Sequence, residues 1–319
     1  MNNTLNTALV LFVYNREFHT KKTLAALANN KNIHNTTLYI FCDAAKKNED
    51  NESVNRVRDS VIDFKWPGYS KKIIFRDKNM GLGPSVIDGI SLVMEEHNAV
   101  IVIEDDIITN ESFFDYMLTM LELYKKTPSV YSISGYVIPP LSTRKVEDIY
   151  FIPRISSWGW GTWKDRWMTV DWSISDYTSF INNKHETHEF KKAGNDMLDM
   201  LINQVEGESE SWAIRFDYNR YKNNGLTIYP GSSLVSNIGS DGSGSHRDNT
   251  TKFDVPINGN FFSGETFSYR VPTISNDATL TYQKFYSSNF ISKIIIVLRR
   301  LGLYDVCIPL LKRIRDLIK

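Results

Sequence analysis

The chain has 319 residues, a formal net charge of zero, 42% hydrophobic residues and 23% charged residues. This length allows one large α/β domain or a domain with a sizeable extension, and the composition is typical of a globular protein, which argues against long disordered segments. The neutral balance of charge argues against nucleic acid as a partner. The two cysteines, Cys42 and Cys307, form neither a disulfide framework nor a metal-ligand motif, which favours a reduced, cytoplasmic setting. No apolar run reaches the roughly 18 residues of a transmembrane helix.

Apolar strands and amphipathic helices alternate through the first 140 residues, which predicts a mostly parallel sheet with helices on both faces. Asn15 is expected to cap the first helix. Polar groups at the carboxyl ends of such strands converge on a ligand. The predicted order is a strand at 8–14, a helix containing Leu24 and Leu27, a strand at 38–42, a helix at 53–63, a strand at 72–76, a helix at 85–96, a strand at 99–103, a helix at 112–125 and a strand at 130–134.

The pattern becomes less regular after residue 140, where short strands, tryptophan-rich loops and a helix near 188–204 are predicted. Residues 290–319 differ again, with seven basic and two acidic side chains and an apolar stripe at helical spacing. A basic amphipathic helix of this kind either lies on an anionic membrane surface or docks on the protein's own core.

Three consecutive acidic residues, Glu104, Asp105 and Asp106, follow an apolar strand. Carboxylates this close repel one another, and burial raises the cost. A divalent cation removes the conflict, and oxygen ligands at a strand end suit Mn²⁺ or Mg²⁺, which also bind diphosphates. The alternative is a solvated acidic turn. The position at the end of a buried strand favours the metal site.

Two other strand ends carry candidate ligand-binding groups. Asn15 and Arg16 open a helix, where an arginine can pair with a phosphate or a carboxylate, although an ordinary cap beside a surface arginine is an alternative. Asp43 ends the second strand, where a carboxylate can accept a hydrogen bond from a base or ribose, although aspartate is also a common turn residue.

Four segments together resemble a known family: Val10–Arg16, Asp43, Val102–Ile107 and Phe113–Tyr116. They are similar to the α-1,3-mannosyl-glycoprotein β-1,2-N-acetylglucosaminyltransferases and to bacterial family-2-type glycosyltransferases, both of which have the GT-A fold. The resemblance covers about residues 8–240 and is most specific over 99–136.

The resemblance implies an inverting, metal-dependent glycosyltransferase with a nucleotide-sugar donor, in the first place a UDP-sugar. It assigns the Mn²⁺ (or Mg²⁺) to Asp106, the donor sugar and ribose to Glu104 and Asp105, the nucleotide to Arg16 and the uracil to Asp43. Together with the basic composition of 290–319, it predicts a nucleotide-sugar-binding half (1–140), an acceptor-binding and catalytic half (141–289) and a basic helical extension (290–319).

The segment Ser156–Trp163 is similar to the tryptophan- and glycine-rich acceptor-side loop of the bacterial members. Sugars present apolar C–H faces that aromatic rings cover, so Trp158, Trp160 and Trp163 are candidate acceptor-binding residues. Core packing of the same tryptophans is the alternative. Trp158 and Trp160 share the parity of a strand, which places them on one face.

An inverting transferase needs a base that takes the proton of the acceptor hydroxyl. The relatives carry a carboxylate just before a tryptophan in a downstream helix, which here points to Glu210, with Glu208 and Asp241 as alternatives. The glycine-rich segment 237–246 resembles the loop that closes over the donor. His246 in this loop is a second candidate metal ligand, or an ordinary surface histidine.

The resemblance also suggests a glycan or lipid-linked acceptor, a part in bacterial surface polysaccharide biosynthesis and a peripheral position on the inner face of the cytoplasmic membrane through 290–319. The oligomeric state stays open. Two other functions compete. A sugar-phosphate nucleotidyltransferase shares the sheet and acidic site but needs a basic, glycine-rich loop after the first strand. A non-catalytic carbohydrate-binding protein leaves the acidic triplet without a role.

Overall fold

The computed structural model describes residues 5–142, 148–244, 250–257 and 267–287. The predicted extension 290–319, Cys307 and His246 lie outside these residues. The strands of the described residues are β1 (Thr7–Val13), β2 (Thr37–Cys42), β3 (Ser70–Phe75), β4 (Ala99–Glu104), β5 (Ile107–Thr109), β6 (Val130–Ser134), β7 (Tyr150–Ile152), β8 (Trp160–Trp163), β9 (Leu226–Tyr229) and β10 (Val235–Asn237). Its α-helices are α1 (Glu17–Ala28), α2 (Asn51–Asp63), α3 (Leu82–Glu96), α4 (Phe113–Tyr124), α5 (Lys164–Trp167), α6 (Tyr177–Asn182), α7 (Lys184–Phe190), α8 (Met197–Val205), α9 (Trp212–Lys222) and α10 (Asn276–Phe285).

The central sheet of the described chain has the strand order β3-β2-β1-β4-β8-β6-β9-β7. Strands β1 to β4 are parallel, as are β6 and β9, whereas β8 and β7 run antiparallel to their neighbours. The predicted α/β class with a mostly parallel, Rossmann-like sheet is therefore confirmed. Strands of both predicted halves join this one sheet, and the boundary at 140/141 stays a prediction.

Both faces of the sheet are covered at its inner strands, which explains why β1 and β4 are almost entirely apolar, whereas the edge strand β3 contains Lys71 and Lys72 and is only partly buried. Successive side chains of a strand point to opposite faces. Leu9 and Leu11 of β1 face a core shared with α1, α2 and α4. Val10 and Phe12 face a second core shared with α3 and α9. A strand enclosed in this way has no solvent side, so it contains no polar alternation.

The strand order reverses at β1. The chain runs outward from β1 to β2 and β3, and then returns to place β4 on the other side of β1. The segments that follow β1 and β4 consequently leave the sheet in different directions. Open α/β sheets bind ligands in the crevice that forms at this point, beyond the carboxyl ends of the strands. At this point of the sheet, Arg16 follows β1 and the acidic triplet ends and follows β4.

Two local predictions differ from the structure. The N-cap position of α1 is Arg16 rather than Asn15, and no side chain caps this helix. The single helix expected near 188–204 is divided into α7 and α8. Gly194 separates them, because its backbone is extended (φ 164°, ψ 134°) rather than helical. In the part of the chain that is described, no helix has both the length and the apolar character needed to cross a bilayer.

Candidate functional site

The strand ends of β1 and β4 bring one arginine against two carboxylates. These strands are neighbours, with Phe12 opposite Glu104. Nη2 of Arg16 donates hydrogen bonds to Oδ1 of Asp105 and, at 2.9 Å, to Oδ2 of Asp106. The predicted donor-side residues Arg16 and Asp105 and the predicted metal ligand thus form one cluster at the crevice, which we call the switch-point cluster (Arg16, Asp105 and Asp106).

Burial and mutual repulsion make this cluster electrostatically strained. Burial raises the pKa of Asp105 to about 6, even though Arg16 acts in the opposite direction. Burial and the neighbouring carboxylates raise the pKa of Glu104 to about 8. Burial alone would lower the pKa of Arg16, but the two aspartates raise it above its ordinary value. A second positive charge would therefore be strongly favoured here.

The atoms of the cluster fit a divalent cation that is shared with a ligand. Oδ1 of Asp106 is buried and has no hydrogen-bond partner, which is uncommon for a carboxylate oxygen. Across the described ranges, no group of three or more His, Cys, Asp or Glu side chains could hold a metal by itself. Mg²⁺-like ions are usually held by one or two carboxylates together with substrate phosphates, so Asp106 with a bound diphosphate suffices.

The raised pKa values predict a specific pH dependence of folding in metal-free protein. A carboxyl group whose pKa is raised by folding stabilises the native state below its unfolded pKa, and this contribution is lost as the pH rises through the folded value. The free energy of unfolding should therefore decrease between about pH 5 and pH 8, through the folded pKa values of about 6 and about 8. Urea denaturation at several pH values measures this decrease. The Glu104→Gln variant should show a smaller decrease, and an identical profile would contradict the assignment.

A glycine-rich loop covers the switch-point cluster. The backbone N–H of Ile238 donates to the carbonyl of Asp106 at 2.9 Å, and a methyl group at Gly239 would lie 2.1 Å from Oδ2 of the same residue. Farther along, Nε2 of His19 lies 3.1 Å from Oδ2 of Asp241. His19 on α1 is a contact that sequence reasoning missed, because nothing in the sequence connects it with this loop.

Gly239→Ala should disrupt this cover, because its methyl group would collide with the carboxylate of Asp106 and with the guanidinium of Arg16, 2.8 Å away. We expect nucleotide affinity in the presence of Mn²⁺ to fall at least about tenfold, in line with the loss of a group that orients a metal ligand. The matched control is Gly244→Ala, whose methyl group would meet its nearest atoms at 3.4 Å. Equal affinities of the two variants in calorimetric titrations would contradict the prediction.

The carboxylate of Asp43 binds three backbone N–H groups, a role that the sequence did not indicate. Its carboxylate accepts hydrogen bonds from the N–H groups of Ala44, Met80 and Gly81 at 2.9 to 3.2 Å. It therefore ties the end of β2 to the turn that begins α3. Its predicted contact with the base stays a prediction, alongside this structural role.

The three candidate bases have different environments. Glu210 is exposed, and methyl groups at Gly81 and Gly83 would lie 3.1 Å from its Oε2 and 3.2 Å from its Cγ. Glu210 thus lies beside the turn that Asp43 holds. Glu208 is exposed in the turn after α8. Hydrogen bonds from Ser243 lower the pKa of Asp241 to about 2, which makes Asp241 a weak base at neutral pH.

The predicted acceptor tryptophans separate into two groups. Trp160 and Trp163 have exposed fractions of 0% and 2%, and Trp160 stacks on Trp212 with ring centroids 4.8 Å apart. A strand in the middle of a sheet covered on both faces buries its side chains, so these two are core residues rather than acceptor contacts. Trp158 is half-buried and lines a cavity. The acceptor prediction is retained for Trp158 alone.

The core position of Trp160 predicts a large loss of stability on truncation. Trp160→Ala should lower the free energy of unfolding by about 3–5 kcal/mol, as expected when a large buried aromatic side chain leaves a cavity. Trp158→Ala, the same substitution at a half-buried position, should cost clearly less. Urea denaturation of both variants measures the difference, and a smaller loss for Trp160 would contradict its assignment to the core.

The sequence matches no protein-family profile and no curated protein. Among solved structures, the chain is similar to GalNAc-T7 with UDP, GalNAc and Mn²⁺, over 74% of this chain and 44% of that one, at a TM-score of 0.45 and 11% identity. It is also similar to the mannosyltransferase PcManGT from Pyrobaculum calidifontis in complex with GDP-Man and Mn²⁺, over 51% of this chain and 46% of that one, at a TM-score of 0.34 and 10% identity. The chain spans less than half the length of either structure.

Proposed function

We propose that this protein is a glycosyltransferase that uses a divalent cation and a nucleotide-sugar donor. The observation that carries the proposal is the switch-point cluster, in which Asp106 presents a buried carboxylate oxygen without a hydrogen-bond partner beside Arg16. Paired carboxylates and an arginine at the ligand-binding edge of a parallel sheet suit a diphosphate bridged to a cation. Such a cation, when bound, neutralises the charge of the leaving nucleotide diphosphate.

The side chains of the chain itself supply the other functions. Arg16 exchanges its aspartate partners for a phosphate, which planar guanidinium groups bind in the same geometry. Asn15 and Asp43 contribute contacts to the nucleotide, and Glu104 and Asp105 to the donor sugar and ribose. The loop that contains Gly239 excludes water from the crevice, which limits hydrolysis of the donor.

Glu210 is proposed as the base that accepts the proton of the acceptor hydroxyl, so that direct displacement inverts the anomeric carbon. Mn²⁺, with Mg²⁺ as an alternative, is the proposed cation, and a UDP-sugar is the proposed donor. A glycan or lipid-linked glycan is the proposed acceptor, with a role in surface polysaccharide biosynthesis. A cytoplasmic protein that meets an anionic membrane through 290–319 would suit a lipid-linked acceptor.

Isothermal titration with UDP, with and without Mn²⁺, tests the proposed function. We expect UDP to bind at least about tenfold more tightly with Mn²⁺, because Asp106 would hold the cation and the cation would offset the charge of the diphosphate. Hydrolysis of UDP-, GDP- and CMP-sugars then identifies the donor. A carbohydrate-binding protein would show no metal-dependent nucleotide binding. Turnover of a nucleoside triphosphate with a sugar phosphate would instead indicate a nucleotidyltransferase.

A further inference from the structure

A separate cavity of about 230 Å³ lies between the segment 154–158 and helices α8 and α9. None of its lining residues belongs to the switch-point cluster. A cavity of about 150 Å³ can bind benzene, so a space of this volume is large enough for one sugar ring.

One wall of the cavity is aromatic. The ring of Trp158 lies 4.6 Å from that of Tyr136 and 5.6 Å from that of Phe253, with both neighbours meeting it nearly edge-on. These contacts fix the orientation of the half-buried indole ring. A fixed aromatic face offers an apolar surface to the C–H groups of a sugar and loses little conformational entropy when it binds one.

The other wall is polar, and its positive charge is already paired. Arg154 donates two hydrogen bonds of 2.8 Å to the two carboxylate oxygens of Asp196, and the ring of Tyr286 lies 3.9 Å from its guanidinium carbon. The second carboxylate of the lining, Asp217, pairs with Arg220 on its own helix. Each arginine thus has its acidic partner.

This arrangement favours an uncharged ligand over an anionic one. A carboxylate has about four lone-pair sites, so Asp196 retains capacity to accept hydrogen bonds from hydroxyl groups. The side chain of Asp196 is 24% exposed, which leaves it accessible from the cavity. A ligand carboxylate or phosphate would instead lose its hydration without gaining an ion pair, because Arg154, the arginine of the lining, is already paired with Asp196.

The cavity is also close along the chain to the proposed base. Ala213, Ile214 and Asp217 on α9 line it, and Glu210 lies immediately before Ser211, the N-cap residue of that helix. A ligand held against the first turns of α9 would therefore contact the helix that directly follows the loop with Glu210.

We propose that this cavity binds one uncharged sugar ring, stacked on Trp158 and hydrogen-bonded to Asp196. Its assignment as the acceptor ring rests on the proposed transferase function, whereas the binding of the ring does not. Anionic sugars such as uronic acids and sugar phosphates should bind more weakly, because Arg154 is already paired with Asp196.

Saturation-transfer NMR on the full chain, without nucleotide or metal, tests the proposal. The probes are the methyl glycosides of glucose, galactose, mannose and N-acetylglucosamine, with methyl glucuronide and glucose 6-phosphate as anionic counterparts. At least one neutral glycoside should bind, and the anionic sugars should bind at least about tenfold more weakly, because their desolvated charge finds no unpaired arginine in the cavity. Trp158→Ala should weaken the neutral ligand at least about fivefold through the lost aromatic contact.

Trp66→Ala is the matched control, because Trp66 is also half-buried but hydrogen-bonds to the carbonyl of Thr36 at the amino end of β2. This variant should bind the neutral glycoside like the parent protein. Equal or stronger binding of the anionic sugars would overturn the proposal, as would the absence of any glycoside signal or unchanged affinity in Trp158→Ala. Each of these results leaves metal-dependent UDP binding untouched, so the two proposals fail independently.

Discussion

Asp106→Asn is expected to abolish the effect of Mn²⁺ on nucleotide binding. The substitution removes the charge on the buried oxygen that has no hydrogen-bond partner, and an amide is a poor ligand for a hard cation. Mutating groups that merely orient a metal ligand costs 10–100-fold in affinity, so loss of the ligand itself should weaken Mn²⁺ binding at least about a hundredfold. Calorimetry with UDP and Mn²⁺, together with the electron paramagnetic resonance signal of free Mn²⁺, measures this loss.

The folded state should tolerate the Asp106 substitution. Arg16 keeps its hydrogen bond to Asp105, and one source of carboxylate repulsion is removed. Asp59→Asn, at an exposed position of α2, is the matched control and should leave Mn²⁺ binding unchanged. Retention of the Mn²⁺ effect in Asp106→Asn would move the cation to another residue.

Glu210→Gln should reduce kcat at least about a hundredfold while nucleotide affinity stays nearly unchanged. General bases contribute typically 10²–10⁴-fold to the rate, and glutamine has a similar shape but cannot accept the proton. Glu210 lies outside the switch-point cluster, beside Gly81 and Gly83, so metal and nucleotide should bind as before. Steady-state kinetics and calorimetry with UDP and Mn²⁺ separate the two effects.

The matched control for this variant is Glu208→Gln, the same change two residues earlier in the turn after α8. It should retain most of the activity. A larger loss for Glu208→Gln than for Glu210→Gln would assign the base to Glu208. Strong loss of nucleotide affinity in Glu210→Gln would instead indicate that this side chain binds the donor.

The periodicity of the sequence was sufficient to predict the first five strands of the sheet and the helices between them. β1, β2 and β4 are almost entirely apolar, because both faces of the sheet are covered at these strands, and α2, α3 and α4 bury residues at helical spacing. The acidic triplet was correctly placed at a strand end for the same reason. That Arg16 would pair with Asp105 and Asp106 was not predicted, because the pairing depends on β4 lying directly beside β1.

The tryptophan segment shows the limit of this reasoning. Trp158, Trp160 and Trp163 are the same residue type and lie within one segment of six residues, so their local sequence is nearly the same. The insertion of β8 between β4 and β6 decides that two of them are core residues and that Trp158 borders a cavity. Gly161 permits the insertion, because a methyl group there would lie 2.9 Å from the carbonyl of Val100.

Local sequence thus established the α/β class, the order of the early elements and the positions of the acidic groups, since spacing along the chain records which faces are buried. Tertiary structure alone established the partners: His19 with Asp241, Asp43 with the turn before α3, and Arg154 with Asp196. Those contacts join residues far apart in the chain, and their energies depend on distances and burial that arise only after the sheet has assembled.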